Sequence, residues 1–489
     1  MKQSLRYLLL SVFFIMLISS LSAKPLSPFQ YGLREAKTDL ERYDAILQTH
    51  KAAVSQNCGV TYKGIQRIEI EIPYSASPIT LSNYTDFAGV EIVVRNLKKK
   101  IVLFEIAQEL TPVEVTKEEL GKGDYGKNKS LNSGYKMLII EDQTPWVENR
   151  KGYDYSAIRK DVVLLKNGIA LNEVIASYDN EVSNPKVCFC EANEKVVIKN
   201  LVFTRTEDSK YITNLVSVRN YNNVILSNIT INTPQDNDLF GDSSIGIANC
   251  SNLLVKNITV NGTYSRSDKF GYGFNVNNVL NSKFEKINAH GKWGVFGTNN
   301  MNHVVLNNSN VNRFDIHCYG RDVYCKKVVF RDLYNQFSSV FGEVVFDKCT
   351  FIDFIPVLFE SSYNAYTPFD LIWKNCTFYL NSTNNYFITT FNVPEEYNSR
   401  LELMRKCLPN ISMKNCKIHL AGDEIYKWYL FQTNSSRYKD AFDYISVISI
   451  SNVEVYNSTD KKFEIFSKNV RTTEDIKINI DFISKKNER

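Results

Sequence analysis

Short runs that alternate apolar and polar residues around one central Asn or Lys recur through the second half of the chain. Val197-Ile198-Lys199-Asn200-Leu201-Val202-Phe203 is followed by Ile225-Leu226-Ser227-Asn228-Ile229-Thr230-Ile231 and Leu254-Val255-Lys256-Asn257-Ile258-Thr259-Val260. Later copies include Val305-Leu306-Asn307-Asn308-Ser309-Asn310-Val311 and Ile372-Trp373-Lys374-Asn375-Cys376-Thr377-Phe378. The centres Asn200, Asn228, Asn257, Lys286, Asn308, Lys327, Lys348, Asn375, Asn415 and Asn452 advance by 28, 29, 29, 22, 19, 21, 27, 40 and 37 residues. Period-2 alternation predicts strands, and a bend at one fixed place in every copy predicts a coil of stacked turns. A second strand falls between copies: Tyr272–Asn278 aligns with Trp293–Asn299 and with Phe314–Gly320.

The spacing is too short for propeller blades, and no blade signature recurs. A sandwich does not keep near-identical strands in register through ten copies. Over residues 58–470 the repeat resembles the right-handed parallel β-helix superfamily, the pectin-lyase-like solenoids. The resemblance implies an all-β chain: a right-handed parallel β-helix solenoid. It also accounts for the Asn, which tolerates a left-handed bend and can stack its amide from turn to turn. The residue after each bend, Leu201, Ile229, Ile258, Ile287, Ser309, Val328, Cys349, Cys376, Cys416 and Val453, forms an inward stack. Cys349, Cys376 and Cys416 are thereby expected as small core residues rather than disulfide partners. Cys188 and Cys190 share one strand face and read the same way.

Composition sharpens this picture. Of 51 Asn, 41 lie in residues 193–489, which excludes a helical bundle there. Residues 1–23 carry Lys2 and Arg6, then an apolar run and small residues, the form of a cleaved secretory signal. They predict a secreted, periplasmic or cell-surface protein with no membrane span after cleavage. Residues 24–57 contain near-helical apolar spacing (Leu33, Leu40, Tyr43, Ile46, Leu47), read as an N-terminal capping α-helix. The charged stretch 105–160 reads as an insertion or side hairpin, and 471–489 as a C-terminal tail. Loops are expected at 361–368, 392–408 and 433–443. The formal charge of +5, from 58 basic and 53 acidic residues, is too mild to argue for nucleic acid.

Outward positions form columns. The first reads Ser217, Gly246, Gly273, Gly294, Asp315; the next Arg219, Ala248, Asn275, Phe296, His317; a third Tyr221, Cys250, Asn277, Thr298, Tyr319. Small residues that give way to a functional cluster suggest a shallow groove along which a polysaccharide or complex glycan would lie. Alternation puts Arg313, Asp315, His317, Tyr319 and Arg321 on one face. A tunable base, a phenol, a carboxylate and guanidiniums suit acid–base attack on an anionic sugar. His317 or Tyr319 would remove the proton, Asp315 would orient His317, and Arg313 and Arg321 would neutralise a uronate, giving β-elimination by a lyase. Lys292, Asn275, Phe296 and Arg219 would line the substrate path.

A hydrolase using Asp315 and Glu360 as paired carboxylates is the nearest alternative. A non-catalytic glycan-binding or surface-structural solenoid, in which the Arg-Asp-His run is a salt-bridged outer strand, is the rival of another class. No cofactor is implied. Calcium is left open at Asp236, Asp238 and Asp242, although a polar loop accounts for them better. The scattered His290, His303 and His419 give no zinc spacing. The polygalacturonase signatures are missing, so no catalytic residue is carried over from a family.

Overall fold

The computed structural model describes residues 24–96, 101–144, 158–175, 177–178, 183–206, 214–233, 244–261, 265–266, 269–270, 272–289, 296–359, 369–390, 409–420, 425–433, 447–457, 461–467 and 477–485. The expected signal (1–23), Asp236, Asp238, Asp242, His290, Lys292, Glu360, and nearly all of the three expected late loops lie outside them.

Twenty-nine strands form one hydrogen-bonded system. Every pairing in it is parallel and joins a strand to its counterpart a coil away, as in Leu201↔Ile229, Ile229↔Ile258 and Ile258↔Ile287. The chain is a parallel β-helix. All ten bend residues from Asn200 to Asn452 have φ between 47° and 61°, the left-handed region that Asn enters most readily among non-glycine residues. All ten residues that follow them are buried in the core.

Amides stack along the bend. Asn228 Nδ2 donates to Asn200 Oδ1 at 2.8 Å, and Asn257 Nδ2 to Asn228 Oδ1 at 2.9 Å. Two further columns use the same device. Asn220, Asn249, Asn278 and Asn300 are left-handed, as are Asn223, Asn252 and Asn281, and Asn249 and Asn278 each donate one rung back at 2.9 Å. The asparagine excess therefore supplies three corners.

The core inside the coil is rich in stacked aromatics. Phe274 and Phe296 lie parallel at 4.8 Å, and Phe314 meets Phe296 edge-on at 5.3 Å. All nine described cysteines are free, with Cys349, Cys376 and Cys416 buried in the expected inward column. Cys188 and Cys190 sit on the inserted sheet instead.

The helix Asp39–Ser55 starts at a capping box of Thr38 and Glu41 and packs Tyr43, Ala45, Ile46 and Ala53 against the first coil. Within that contact His50 Nε2 lies 3.0 Å from Tyr62 Oη, and burial depresses the imidazole to about 3.

Three boundaries differ from expectation. The insertion is a five-stranded antiparallel sheet built from Thr111–Pro112, Tyr135–Asp142, Lys160–Lys166, Ile169–Ala170 and Pro185–Glu191, so it reaches well past residue 160. Val102–Ala107 still belongs to the coil, paired with Asn214–Arg219. The coil also continues beyond residue 470, because Lys477–Lys485 pairs with Val447–Tyr456.

Because each corner rests on a left-handed Asn, Asn257→Ala is expected to cost about 1–2 kcal/mol through backbone strain and the lost amide bond. A shift of the urea midpoint reads this, with the neighbouring exposed Lys256→Ala staying within about 0.5 kcal/mol.

Candidate functional site

The observed register redraws the columns. Ser217, Gly246, Asn275, Gly297, Asp315 and Gln336 are successive partners on the outer face. Arg219, Ala248, Asn277 and Asn299 form the column beside it, and one step past Thr298↔Ile316 brings His317 next to Asn299. The ends of both expected columns hold, while the middle members change. Asn275 moves to the Asp315 column and stays exposed. Phe296 does not line the face. It is fully buried in the core, because a one-residue slip in register turns every side chain over.

Arg313, Asp315 and His317 come together. Asp315 is fully buried and ion-paired with Arg313 Nε, and its Oδ1 accepts from the Gln336 backbone N–H at 3.2 Å. Arg313, also buried, donates to Gln336 Oε1 at 2.9 Å and lies 4.4 Å above the Tyr334 ring. Burial works against the guanidinium charge, but Asp315 beside it more than offsets that and holds Arg313 above its ordinary range. His317 is the accessible tip of the group, with 13% of its side chain exposed. Its Nε2 lies 3.4 Å from Asp315 Oδ2 and 3.1 Å from Tyr272 Oη.

Tyr272 is the member that the sequence reading missed. A Cβ on Gly297 would lie 2.6 Å from the Tyr272 ring, so the ring rests directly over that glycine. Gly297 thereby lets the phenol cross the sheet face to reach His317. The signal available in the sequence was a glycine in an outward column one rung before Asp315.

The remaining expected residues lie elsewhere. Tyr319 is not on the exposed face. It occupies the left-handed corner that Asn220, Asn249, Asn278 and Asn300 hold in earlier coils, with φ 60°, and is fully buried. Burial carries its phenol far above the usual range. Arg321 follows that corner onto the next sheet, where it pairs with Glu173 Oε2 at 2.6 Å and donates to Val174 O at 3.3 Å. It ties the insertion to the coil and does not face Arg313. Arg219 is four rungs from His317, about 19 Å at strand spacing, and pairs with Glu105. Among the described residues no group of three or more His, Cys, Asp or Glu is placed to hold a metal ion.

Chemically, the cluster can hold and pass one proton. Neutral His317 with its proton on Nδ1 accepts at Nε2 from the Tyr272 hydroxyl. Protonated His317 presents its Nε2 proton to Tyr272 Oη at 3.1 Å and Asp315 Oδ2 at 3.4 Å.

No family model matches the chain, and no curated protein does. Among solved structures it is similar to the tailspike protein gp49 from Pseudomonas phage LKA1, at 13% identity over 94% of this chain and 79% of that one, with a TM-score of 0.49. It is also similar to the Pseudomonas phage phi297 tailspike gp61, at 10% identity over 89% and 80%, TM-score 0.45. A third is the gp54 tailspike of Acinetobacter baumannii bacteriophage AP22, solved in complex with A. baumannii capsular saccharide, at 10% identity over 90% and 79%, TM-score 0.43. Likenesses this distant identify no substrate or reaction for the chain, whose coil stands on its own strand register.

The glycine contact makes a direct prediction. Gly297→Ala should push the Tyr272 ring off the face and break its bond to His317. The imidazole resonances of Gly297→Ala and Tyr272→Phe should then shift alike in NMR spectra, with circular dichroism unchanged. Asp315→Ala, by contrast, should cost about 3–5 kcal/mol by stranding buried Arg313, read as a lowered unfolding midpoint.

Proposed function

We propose that the chain is a glycan-active β-helix working outside the cell, and that His317 and Tyr272 are its acid–base pair. The observation that carries this reading is the 3.1 Å contact between Tyr272 Oη and His317 Nε2, made on an outer face and backed by the buried Asp315. The substrate class follows from the face around it. Asn275 is exposed and Asn277 and Asn299 half-buried, a row of amides along the coil axis suited to sugar hydroxyls. The apolar first segment supports export, and no described helix is long and apolar enough to cross a membrane.

The finer reading is β-elimination on an acidic polysaccharide. His317 Nε2 takes the proton next to the uronate carboxylate, the C–O bond to the leaving sugar breaks, and a C=C bond forms. Tyr272 gives its proton to the departing oxygen. The phenolate then recovers a proton from His317 across their contact, and the pair is reset without an outside base. Asp315, behind His317, stabilises the imidazolium while it exists. Tyr319 and Arg321 have no part in this scheme, because neither faces the site.

Burial favours this over the paired-carboxylate hydrolase, since Asp315 has no exposed surface and is committed to Arg313. The same burial is what favours a binding-only solenoid, in which the ion pair is a staple under a polar groove. Incubation with a panel of uronic-acid polymers separates the three. Elimination yields ultraviolet-absorbing unsaturated ends, and His317→Ala and Tyr272→Phe should lower that rate by about 10²–10⁴ while glycan retention changes little. Reducing ends without absorbance would favour the hydrolase. Retention without any product would leave only binding.

A further inference from the structure

The first bend column, which already admits Lys286 at φ 54°, departs from Asn at two successive rungs in the later coils. Lys327 and Lys348 hold left-handed conformations, φ 53° and 56°, at successive rungs where Asn is the residue that fits. Neither can pass an amide along the ladder. Asn375, one rung on, donates instead to Asp347 Oδ1 at 2.9 Å. Giving up both the preferred residue and the ladder bond at two consecutive rungs is a local cost, and such departures gather at functional positions.

What those rungs gain is charge. Four consecutive rungs run Lys326↔Asp347↔Lys374↔Lys414 just before the bend. Counting the residue before the bend, the bend itself and the second residue after it gives twelve positions. They hold Lys326, Lys327, Lys348, Lys374, Lys414 and Lys417 against the single carboxylate of Asp347. Six minus one is a net +5, equal to that of the whole chain. All six lysines are exposed. Five make no ion pair among the described residues, and Lys417 lies 3.9 Å from Glu454. Rungs are about 4.8 Å apart, so the ridge runs straight along the coil axis for ~14 Å.

We propose that this lysine ridge is a second binding site, for a linear polycarboxylated glycan lying along the solenoid axis, separate from the Tyr272–His317 cluster. A straight row of point charges, one or two per rung, suits an extended polymer with a charge on each sugar. Nucleic acid fits less well. Its one adjacent arginine, Arg331, stands in the Tyr379 column, so the lysine rows themselves offer point charges and no series of forks for phosphate. Of the aromatics beside it, Tyr379, His419 and Tyr456 stack on one another at 4.7 and 4.5 Å, and half-buried Tyr324 gives its hydroxyl to Glu343, so they form no row of open rings for successive bases.

Affinity electrophoresis in gels containing polygalacturonate tests this, with dextran and oligothymidylate gels run beside it. The full chain should be retarded by polygalacturonate, not by dextran, and the effect should fade at about 0.5 M salt. Combined Lys326→Gln, Lys327→Gln, Lys348→Gln, Lys374→Gln and Lys414→Gln should weaken retardation at least about tenfold, with the unfolding midpoint kept or raised. His317→Ala should bind as the parent does, so loss of the catalytic reading leaves this one standing. The five-lysine variant should likewise process a short uronate oligosaccharide at the parental rate if that reading holds. Equal retardation of parent and variant, no retardation of the parent, or tighter binding to oligothymidylate would each overturn the proposal.

Discussion

The left-handed corner is the constraint on which the rest of this molecule depends. A parallel coil closes only if the backbone turns sharply at the same place on every rung, and for L-residues that turn costs strain unless Asn or Gly takes it. Three columns of Asn meet the requirement, and their side-chain amides bond along the axis where backbone bonds already run. Rung height and register are then fixed together. Every outward side chain lands at a repeating place on a rigid sheet, which is the scaffold a long polymer requires.

On that scaffold the buried Arg313–Asp315 pair is costly to hold and costly to lose. Two charges are taken out of water, and the return comes from their mutual attraction, the Gln336 bonds and the Tyr334 face. The pair is buried on all sides, and it sets a carboxylate oxygen 3.4 Å behind His317 Nε2. The imidazole has Asp315 on one side and Tyr272 on the other, both at the same nitrogen. Its protonation state decides whether that nitrogen accepts from the Tyr272 hydroxyl or donates to it.

The parts of this arrangement legible in sequence were those that local backbone chemistry dictates. Asn200, Asn228 and Asn257 announce the bend because little else fits it, and the inward Leu201, Ile229 and Cys376 follow by alternation. Register between coils was harder. Coil length falls from 29 residues between Gly246 and Asn275 to 22 and then 18 on reaching Asp315. A repeat of fixed length therefore slips, which is how Phe296 was read as outward. Alternation was also carried through Tyr319, where a corner intervenes. Tyr272 stayed hidden because its role depends on the space above Gly297, a contact between coils that no local pattern records.

The departures from the corner rule carry the most information. Where Asn gives way to Tyr319, the side chain is fully buried, within the field of the buried Arg159–Asp142 pair of the insertion. Where it gives way to His303 and Asp322, the two left-handed residues face each other at 3.2 Å as an ion pair once the histidine is protonated. Where it gives way to Lys327 and Lys348, no described partner accounts for the charge. The first exchange buries a ring inside the molecule, and the second sets two polar side chains against each other. The lysines surrender the ladder and have no ion-pair partner among the described residues, and their charge is left facing solvent along the ridge.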